Sequence, residues 1–505
     1  MSVVDHRTSA IELATLDLDS FAGRPVAVLG LARSGIALCR FLADRGARVT
    51  VYDRRPAEEL ADALARLEGR TVRTLLGPEV DPAQALSGQA LVCTSPSVSS
   101  RFNTTEPRLR TALADLEAEG TTPIISEIDL FLRLCPGRTI GVTGTKGKTT
   151  TSALTAAVLE AGSTPVLLGG NIGTPLVERL PEITADQLVV LELSELQLPT
   201  MSRGTDVAVY THVSADHLDR HGSIEQYRAV KRRLAELLPI DGRLVLNRED
   251  AVSAAFAAVS AAPTVYYRRA EPLPGGVGVI DGWIVADGVE PLARPAAGSR
   301  RLPIAGQVMP LVDIALPGRH NLSNVLAAVT IGLLHGIGAE GIARAVAAFR
   351  GVEHRLEIVD EIDGVRFVND SQGTQPDAVI AALNSFDPPI VLIAGGRGKD
   401  VALDELADEV ARRASGVVLI GETAADMQRL FTAAGAAKLE RAADLPAAVR
   451  RADTIARELL AADPARRPAT VLLSPAAASF DMFTDYAERG QAFKAVVGAL
   501  AEGRR

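Results

Sequence analysis

GTKGKTT (144–150) is the segment of this chain whose residue types most directly promise chemistry. In such a loop the glycines let backbone N–H groups close on phosphate oxygens, Lys148 can reach β/γ-phosphates, and the Thr149 hydroxyl suits Mg²⁺. Gly144, Thr145, Lys146 and Gly147 make up the loop, with Val142 where the usual spacing has glycine, so it is a variant phosphate loop. Thr150 reads either as a helix-capping hydroxyl or as a further ligand. VLELSELQL (190–198) carries Glu192 at the end of an otherwise apolar run. A carboxylate there is costly unless it is paired or bound to metal. On a strand beside the phosphate loop it reads as an acidic Mg²⁺ partner, with a salt bridge as the alternative. Glu195 and Gln197 alternate along the same run, which would turn one of them toward the same cleft. HVSADHLDRHGSIEQYRAVKRRL (212–234) gathers three of the seven histidines with Lys231 beyond a strand. Loops at the carboxyl ends of strands are where α/β proteins bind ligands, although His217 taken alone reads as a structural loop residue.

Of 53 basic residues only six are lysine: Lys146, Lys148, Lys231, Lys399, Lys438 and Lys494. In a chain that defaults to arginine, a retained lysine points to a need for a primary amine. Lys438 and Lys494 lie in polar helical surroundings and read as chance; the other four fall in motifs.

These groups need a scaffold. RPVAVLGLARSG (24–35) followed by RVTVYD reads as strand, glycine turn, helix and strand, a Rossmann-like unit with a partial fingerprint. Gly30 and Gly35 are present, Ala32 replaces the middle glycine, and Asp53 sits where a ribose or base contact, or plain strand-end solvation, is expected. The alternation repeats around 139–238 and again from 351, with a hairpin-like GVGVIDGWIVADG (276–288) between. The pattern predicts α/β architecture in three domains: an N-terminal Rossmann-like domain over 1–122, a central phosphate-loop ATPase-type sheet over 123–350, and a C-terminal Rossmann-like domain over 351–505. Parallel sheets covered on both faces follow.

The 505 residues are 47% hydrophobic, 23% charged and only 4% aromatic, with a net charge of −9. That balance excludes general nucleic-acid or anionic-membrane binding, so anionic ligands must be met by local devices. Three scattered cysteines, no apolar leader and no long apolar run predict a reduced, cytoplasmic protein, expected as a monomer.

Together and in this order, the motifs resemble the Mur ligase family, ATP-dependent enzymes that join an amino acid to a UDP-N-acetylmuramoyl (peptide) carboxylate in peptidoglycan assembly. The carriers are GTKGKTT, GGNIGTPL (169–176), ELS (192–194), DHLDRHGSIEQYRAVK (216–231), GRHNLSN (318–324) and HR (354–355). Within the family, GLARSG with Asp53, NDSQGT (369–374), GGRGK (395–399) and SPAAASFDMFTDYAERGQAF (474–493) are most similar to the branch that adds D-glutamate to UDP-N-acetylmuramoyl-L-alanine. Gln372 stands where that branch usually has Lys, Ser97 where SPG is usual, and Tyr486 where Phe is expected.

The resemblance implies ATP, two Mg²⁺ ions and a carbamylated Lys231 as cofactors, with UDP-N-acetylmuramoyl-L-alanine and glutamate as partners. Lys148, Glu192, His217 and Lys231 would be catalytic, and Thr149, Glu192, His217 and the Lys231 carbamate would hold metal. The phosphate loop with Asn321, Asn324, Arg355 and Asp370 would bind ATP. Arg33, Ser34, Asp53, Asn171 and His217 would bind the UDP substrate. Thr374, Lys399, Ser479, Phe480 and Tyr486 would bind glutamate, Lys399 through a charge-assisted bond. Arginine forms no such carbamate, so the survival of Lys231 in an arginine-rich chain agrees with that role independently. The same ligation with L-glutamate, a folylpolyglutamate-synthase relative, and a non-catalytic nucleotide-binding regulator are the alternatives. The second is disfavoured by the N-terminal unit and the NDSxxT and SPAxAS motifs, the last by retention of all four catalytic residues.

Overall fold

The computed structural model describes residues 10–102, 105–172, 175–214, 223–292, 302–316, 319–398, 403–479 and 481–504. The chain divides into two compact units, Met1–Phe349 and Arg350–Arg505.

In the first unit, short β-branched runs make a five-stranded sheet in the order Val72–Leu76, Arg48–Asp53, Pro25–Leu29, Leu91–Thr94, Ile124–Ser126, parallel throughout. Successive crossovers leave Pro25–Leu29 to opposite sides, so the switch point lies at its carboxyl end, at the glycine turn. The helix Arg33–Asp44 that follows buries Ile36, Leu38, Phe41 and Leu42.

The second sheet has nine strands, running from the edge Val166–Gly170 through Leu188–Glu192, Arg138–Thr143, Val207–Tyr210, Arg243–Asn247 and Thr264–Tyr267 to Gly276–Ile280, Trp283–Val289 and Ile304–Pro310. Its phosphate-loop half is parallel, but the last three strands are antiparallel to one another. The expected parallel sheet is thus present, and the stretch read as hairpin-like forms its antiparallel edge. Asp281 and Gly282, with φ of 48° and 77°, connect two strands directly. A two-residue turn with positive φ can only join antiparallel neighbours, because a parallel pair needs a long crossover.

One continuous apolar core serves both sheets, containing Phe21, Leu42, Phe131, Leu191, Tyr210 and Leu246. The helix Glu127–Leu134 belongs to this core through Ile128, Leu130, Phe131 and Leu132. Asp129 anchors it, accepting from Ser202 N at 2.7 Å, Ser202 Oγ at 2.6 Å and Arg203 N at 3.0 Å. A second core holds Leu154 and Val158 of helix Lys148–Glu160 and Val325 and Val329 of helix Arg319–Leu334.

The Arg350–Arg505 unit has six strands in the order Glu357–Ile362, Val365–Asn369, Ala469–Leu473, Ile390–Gly395, Ala414–Ile420, Leu439–Arg441, of which only the first is antiparallel to its neighbour. Asp363–Gly364 makes that exception as Asp281–Gly282 does. Separate apolar cores form here, one including Leu392 and Leu406 and the other Ile393 and Val449. No helix among the described residues is long and apolar enough to cross a membrane.

Glu127 opens its helix with a carboxylate only 5% exposed. Burial pushes the carboxyl up to about 7, and the Arg33 charge and the Val177 N–H offset this only in part. A raised acid binds its proton more tightly folded than unfolded, so stability falls as pH rises from the ordinary carboxylate range to about 7 and stays lowered above it. Glu127→Gln removes that loss, worth roughly 3 kcal/mol. The variant should melt higher than the parent at about pH 8 and the two should converge near pH 4, read by calorimetry across the pH range.

Candidate functional site

The phosphate loop leaves strand Arg138–Thr143, which lies inside the nine-stranded sheet, and enters helix Lys148–Glu160 at Gly147. Gly147 has φ of 88°, and a Cβ there would lie 2.5 Å from Asn324 Oδ1, so both conformation and space require glycine. Its N-cap, Gly147, brings no capping side chain, which leaves the positive end of the helix to act on an anion. Thr150 lies inside the first turn, so the capping reading of its hydroxyl is corrected. Neighbouring elements fix the loop. Thr211 Oγ1 donates to Lys146 O at 2.6 Å, Thr145 N to His212 O at 2.6 Å, and the Thr145 and Tyr227 hydroxyls meet at 2.9 Å. Asn324 Nδ2 donates to Asn321 Oδ1 at 2.9 Å while its Oδ1 accepts from Thr151 at 3.2 Å, so the two asparagines brace the first turns of the helix that the loop enters. Lys148 Nζ donates to the Gly144 and Thr145 carbonyls at 3.0 and 2.9 Å, and Thr149 is buried beside it.

Glu192 ends the adjacent strand, in register with Val142, and is 2% exposed. Asn171 binds it twice, Nδ2 to Oε1 at 3.0 Å and N to the backbone O at 2.8 Å. Its other oxygen, Oε2, is buried with no hydrogen-bond partner, and no cation among the described residues pairs with it. The salt-bridge alternative is thus not the arrangement seen. A buried carboxylate oxygen left without a donor is suited to a cation. Lys231, on helix Ile224–Glu236, is fully buried. Its Nζ lies 3.5 Å from Thr143 Oγ1 and 5.5 Å from the Tyr227 ring centre, while Thr143 Oγ1 donates to Leu193 O at 2.8 Å. One sheet end therefore brings together Lys148, Thr149, Glu192, Lys231 and Asn171. His217 lies outside the described residues. Among those described, no three His, Cys, Asp or Glu side chains converge, so the protein oxygens fitted for a metal are those of Glu192 and Thr149. Glu195 and Gln197 lie beyond the strand, which ends at Glu192, and so do not alternate across it; Gln197 Oε1 instead accepts from Ser194 N at 2.9 Å.

Asp53, 7% exposed, accepts from Leu31 N at 2.8 Å and from Arg55 Nε and Nη2 at 3.0 and 2.8 Å. Burial raises its carboxyl, but the Arg55 bonds and the Leu31 N–H outweigh it and hold the group below the usual range. Arg55 was missed from the sequence, although its place two residues after a strand-end aspartate was the available signal. Arg33 is exposed and donates to Asn171 O at 3.3 Å, linking the first glycine turn to the GGN segment; Ser34 is half-buried beside it.

In the Arg350–Arg505 unit, Asp370, Thr374 and Ser479 sit on loops at the carboxyl ends of the adjacent strands Val365–Asn369 and Ala469–Leu473. Asp370 accepts from Ser474 Oγ at 2.6 Å and Leu356 N at 3.2 Å. Burial still pushes its carboxyl up to about 6. Arg355 is exposed nearby, and Tyr486 opens the last helix, Tyr486–Glu502. Gln372 Nε2 donates to Glu353 O at 3.3 Å. Lys399 and Phe480 lie outside the described residues.

The unsatisfied Glu192 oxygen generates a measurable expectation. Glu192→Gln should weaken Mn²⁺ binding by about tenfold or more, seen by electron paramagnetic resonance, with the melting temperature unchanged or raised. Equal Mn²⁺ affinity in variant and parent would remove Glu192 from the metal site.

Two family models match the chain, the Mur ligase middle domain over residues 142–332 and the Mur ligase glutamate ligase domain over 354–477. A UDP-N-acetylmuramoylalanine–D-glutamate ligase of Symbiobacterium thermophilum is 39% identical, covering 94% of this chain and 98% of its own. Proteins of the same name from Roseiflexus sp. and Pelotomaculum thermopropionicum are 38% and 36% identical over 94% and 96% of this chain, covering 98% and 100% of their own. Among solved structures, the UDP-N-acetylmuramate-alanine ligase of Thermotoga maritima shares the fold, with a TM-score of 0.51 at 17% identity over 94% of this chain and 99% of that one. With its phosphate loop, buried strand-end carboxylate and C-terminal α/β unit falling within these matches, the chain belongs to the Mur ligase family.

Proposed function

We propose that the protein joins D-glutamate to UDP-N-acetylmuramoyl-L-alanine at the expense of ATP, through an acyl phosphate, in peptidoglycan precursor synthesis. The observation that carries this reading is the cluster at one sheet end: a phosphate loop, a carboxylate with an orphaned oxygen, and a fully buried lysine. The names of relatives that align over nearly the whole chain supply the substrates and the D configuration. We assign the UDP substrate to residues 1–122, ATP to 123–350 and glutamate to 351–505.

On this reading an alanyl carboxylate oxygen attacks the γ-phosphorus and ADP leaves. The deprotonated glutamate amine then attacks the acyl carbon, the C–O bond to phosphate breaks with its electron pair, and the proton lost from nitrogen leaves with the departing phosphate as the amide forms. Two anions must meet in the first step, so positioning and charge neutralisation dominate. Lys148 and the helix N-terminus take up phosphoryl charge. Arg33, Ser34, Asp53 and Asn171 orient the UDP substrate, and Thr374, Lys399, Ser479, Phe480 and Tyr486 receive glutamate. Mg²⁺, when bound at Glu192 and Thr149, would supply Lewis-acid neutralisation of the same oxygens. Addition of CO₂ to the Lys231 amine, with loss of a proton, would give a carbamate that with His217 would hold a second metal ion.

Phosphate release from ATP in the presence of UDP-N-acetylmuramoyl-L-alanine tests the reading, with D-glutamate, L-glutamate, D-aspartate and meso-diaminopimelate compared. D-glutamate should be the substrate. Release with L-glutamate alone would reverse the stereochemistry, release with diaminopimelate alone would change the branch, and nucleotide binding without release would favour the regulator. Lys231→Ala should lose most ligation, keep its ATP affinity, and recover in part with short-chain carboxylates. Full activity in that variant would remove the carbamate from the reaction.

A further inference from the structure

Arg489 heads the largest side chains that solvent does not touch, at 0% exposure in the first turn of helix Tyr486–Glu502. Its acceptors are all neutral: Nε donates to Ser371 Oγ at 3.0 Å, Nη2 to Ser371 O at 2.9 Å, and Nη1 to Ala477 O at 3.3 Å. Asp481 acts on it electrostatically, yet among the described residues no carboxylate pairs with it. Desolvation lowers the guanidinium to about 10, which leaves it cationic at neutral pH. Burying a charge that no carboxylate pairs with directly is expensive, and an apolar side chain would fill the same space at lower cost. The charge therefore calls for an explanation beyond packing.

Its position supplies one. Ser371 lies in NDSQGT and Ala477 in SPAAAS, the loops that follow two adjacent parallel strands. The Ser371 hydroxyl has one proton and gives it to Tyr486 O at 2.7 Å, so toward Arg489 it can only accept. The same loops meet again where Ala476 N donates to Gly373 O at 2.9 Å and Ser474 Oγ to Asp370 Oδ2 at 2.6 Å. Thr374, Ser479 and Tyr486 are thus carried by segments that converge on one guanidinium.

We propose that Arg489 is a specificity-determining positioning residue of the amino-acid site, which through Ser371 and Ala477 locks the two receiving loops together and sets a buried positive charge beneath them that favours a substrate with a second carboxylate. This rests on the reading of that unit as the glutamate site. In a water-poor setting such a charge acts over a longer distance than it would in solvent.

The test uses the full-length protein in the ligation assay, with D-glutamate against D-glutamine, and three variants: Arg489→Gln, Arg489→Lys and Ser371→Ala. In Arg489→Gln the preference for glutamate over glutamine should fall by about tenfold. Arg489→Lys keeps the charge but not the fork, so it should retain the preference while raising the glutamate KM. Ser371→Ala should raise that KM by about fivefold or more, leaving the KM values for ATP and UDP substrate nearly unchanged. A purely structural role would move all three KM values together or none. A folded Arg489→Gln with the parental preference would overturn the proposal; should that variant fail to fold, an unchanged glutamate KM in Ser371→Ala would overturn it. If the parent itself does not ligate glutamate, the functional reading falls first, an outcome distinct from a parent that ligates and variants that match it.

Discussion

The protein places charge at the ends of buried strands, and everything around its candidate site follows from the need to keep that charge tolerable. Lys231 is withdrawn from water beside Thr143, Glu192 is withdrawn one strand away, and Asn171 satisfies only one of the two carboxylate oxygens. A fold selected for stability alone would put apolar residues at these positions. Keeping ionisable groups there demands a rigid frame, and the frame is visible. Asparagines brace the helix that follows the phosphate loop, Thr211 and Tyr227 hold the loop from the side, and Asp129 pins a helix by three backbone and hydroxyl donors. Preorganisation of this kind lets a net-negative chain bind anionic substrates with few cations.

The second unit solves the related problem with the opposite sign. There a cation is buried among carbonyls, and the loops above it are tied by bonds of fixed direction. Asp370 shows the cost of such burial, since a serine and a backbone donor do not bring its carboxyl back to the ordinary range. In both units chemistry-bearing side chains sit where strands end, and the sheets act as platforms that set loop spacing to the distance between neighbouring strands.

Local patterns in the sequence revealed a large part of this. Strand, glycine turn and helix around 139–160 are encoded within one short window, and the arginine bias made Lys148 and Lys231 conspicuous. The antiparallel edges were half legible: the 276–288 stretch reads as a hairpin, whereas RLEIVDEIDGVRFVND reads only as two strands of unstated direction. What stayed hidden depends on partners far along the chain. Asn324 looks like a nucleotide contact until its bond to Thr151, 173 residues away, shows it to be a brace as well. Arg489 drew no reading of its own within SPAAASFDMFTDYAERGQAF, and only Ser371, 118 residues away, shows what receives it. Glu195 and Gln197 misled because alternation was extended past the end of the strand.

The shared core of the first unit has a consequence for how this chain comes into being. Ile11 and Ala262 belong to the same apolar cluster, and the helix Arg33–Asp44, which covers one face of the N-terminal sheet, packs in turn against Leu176–Glu182, a segment made much later. On the ribosome, the outer apolar side of that helix waits until the central segment emerges. The arrangement also limits recombination, since an N-terminal sheet transplanted from a relative would have to arrive with the opposing half of its core.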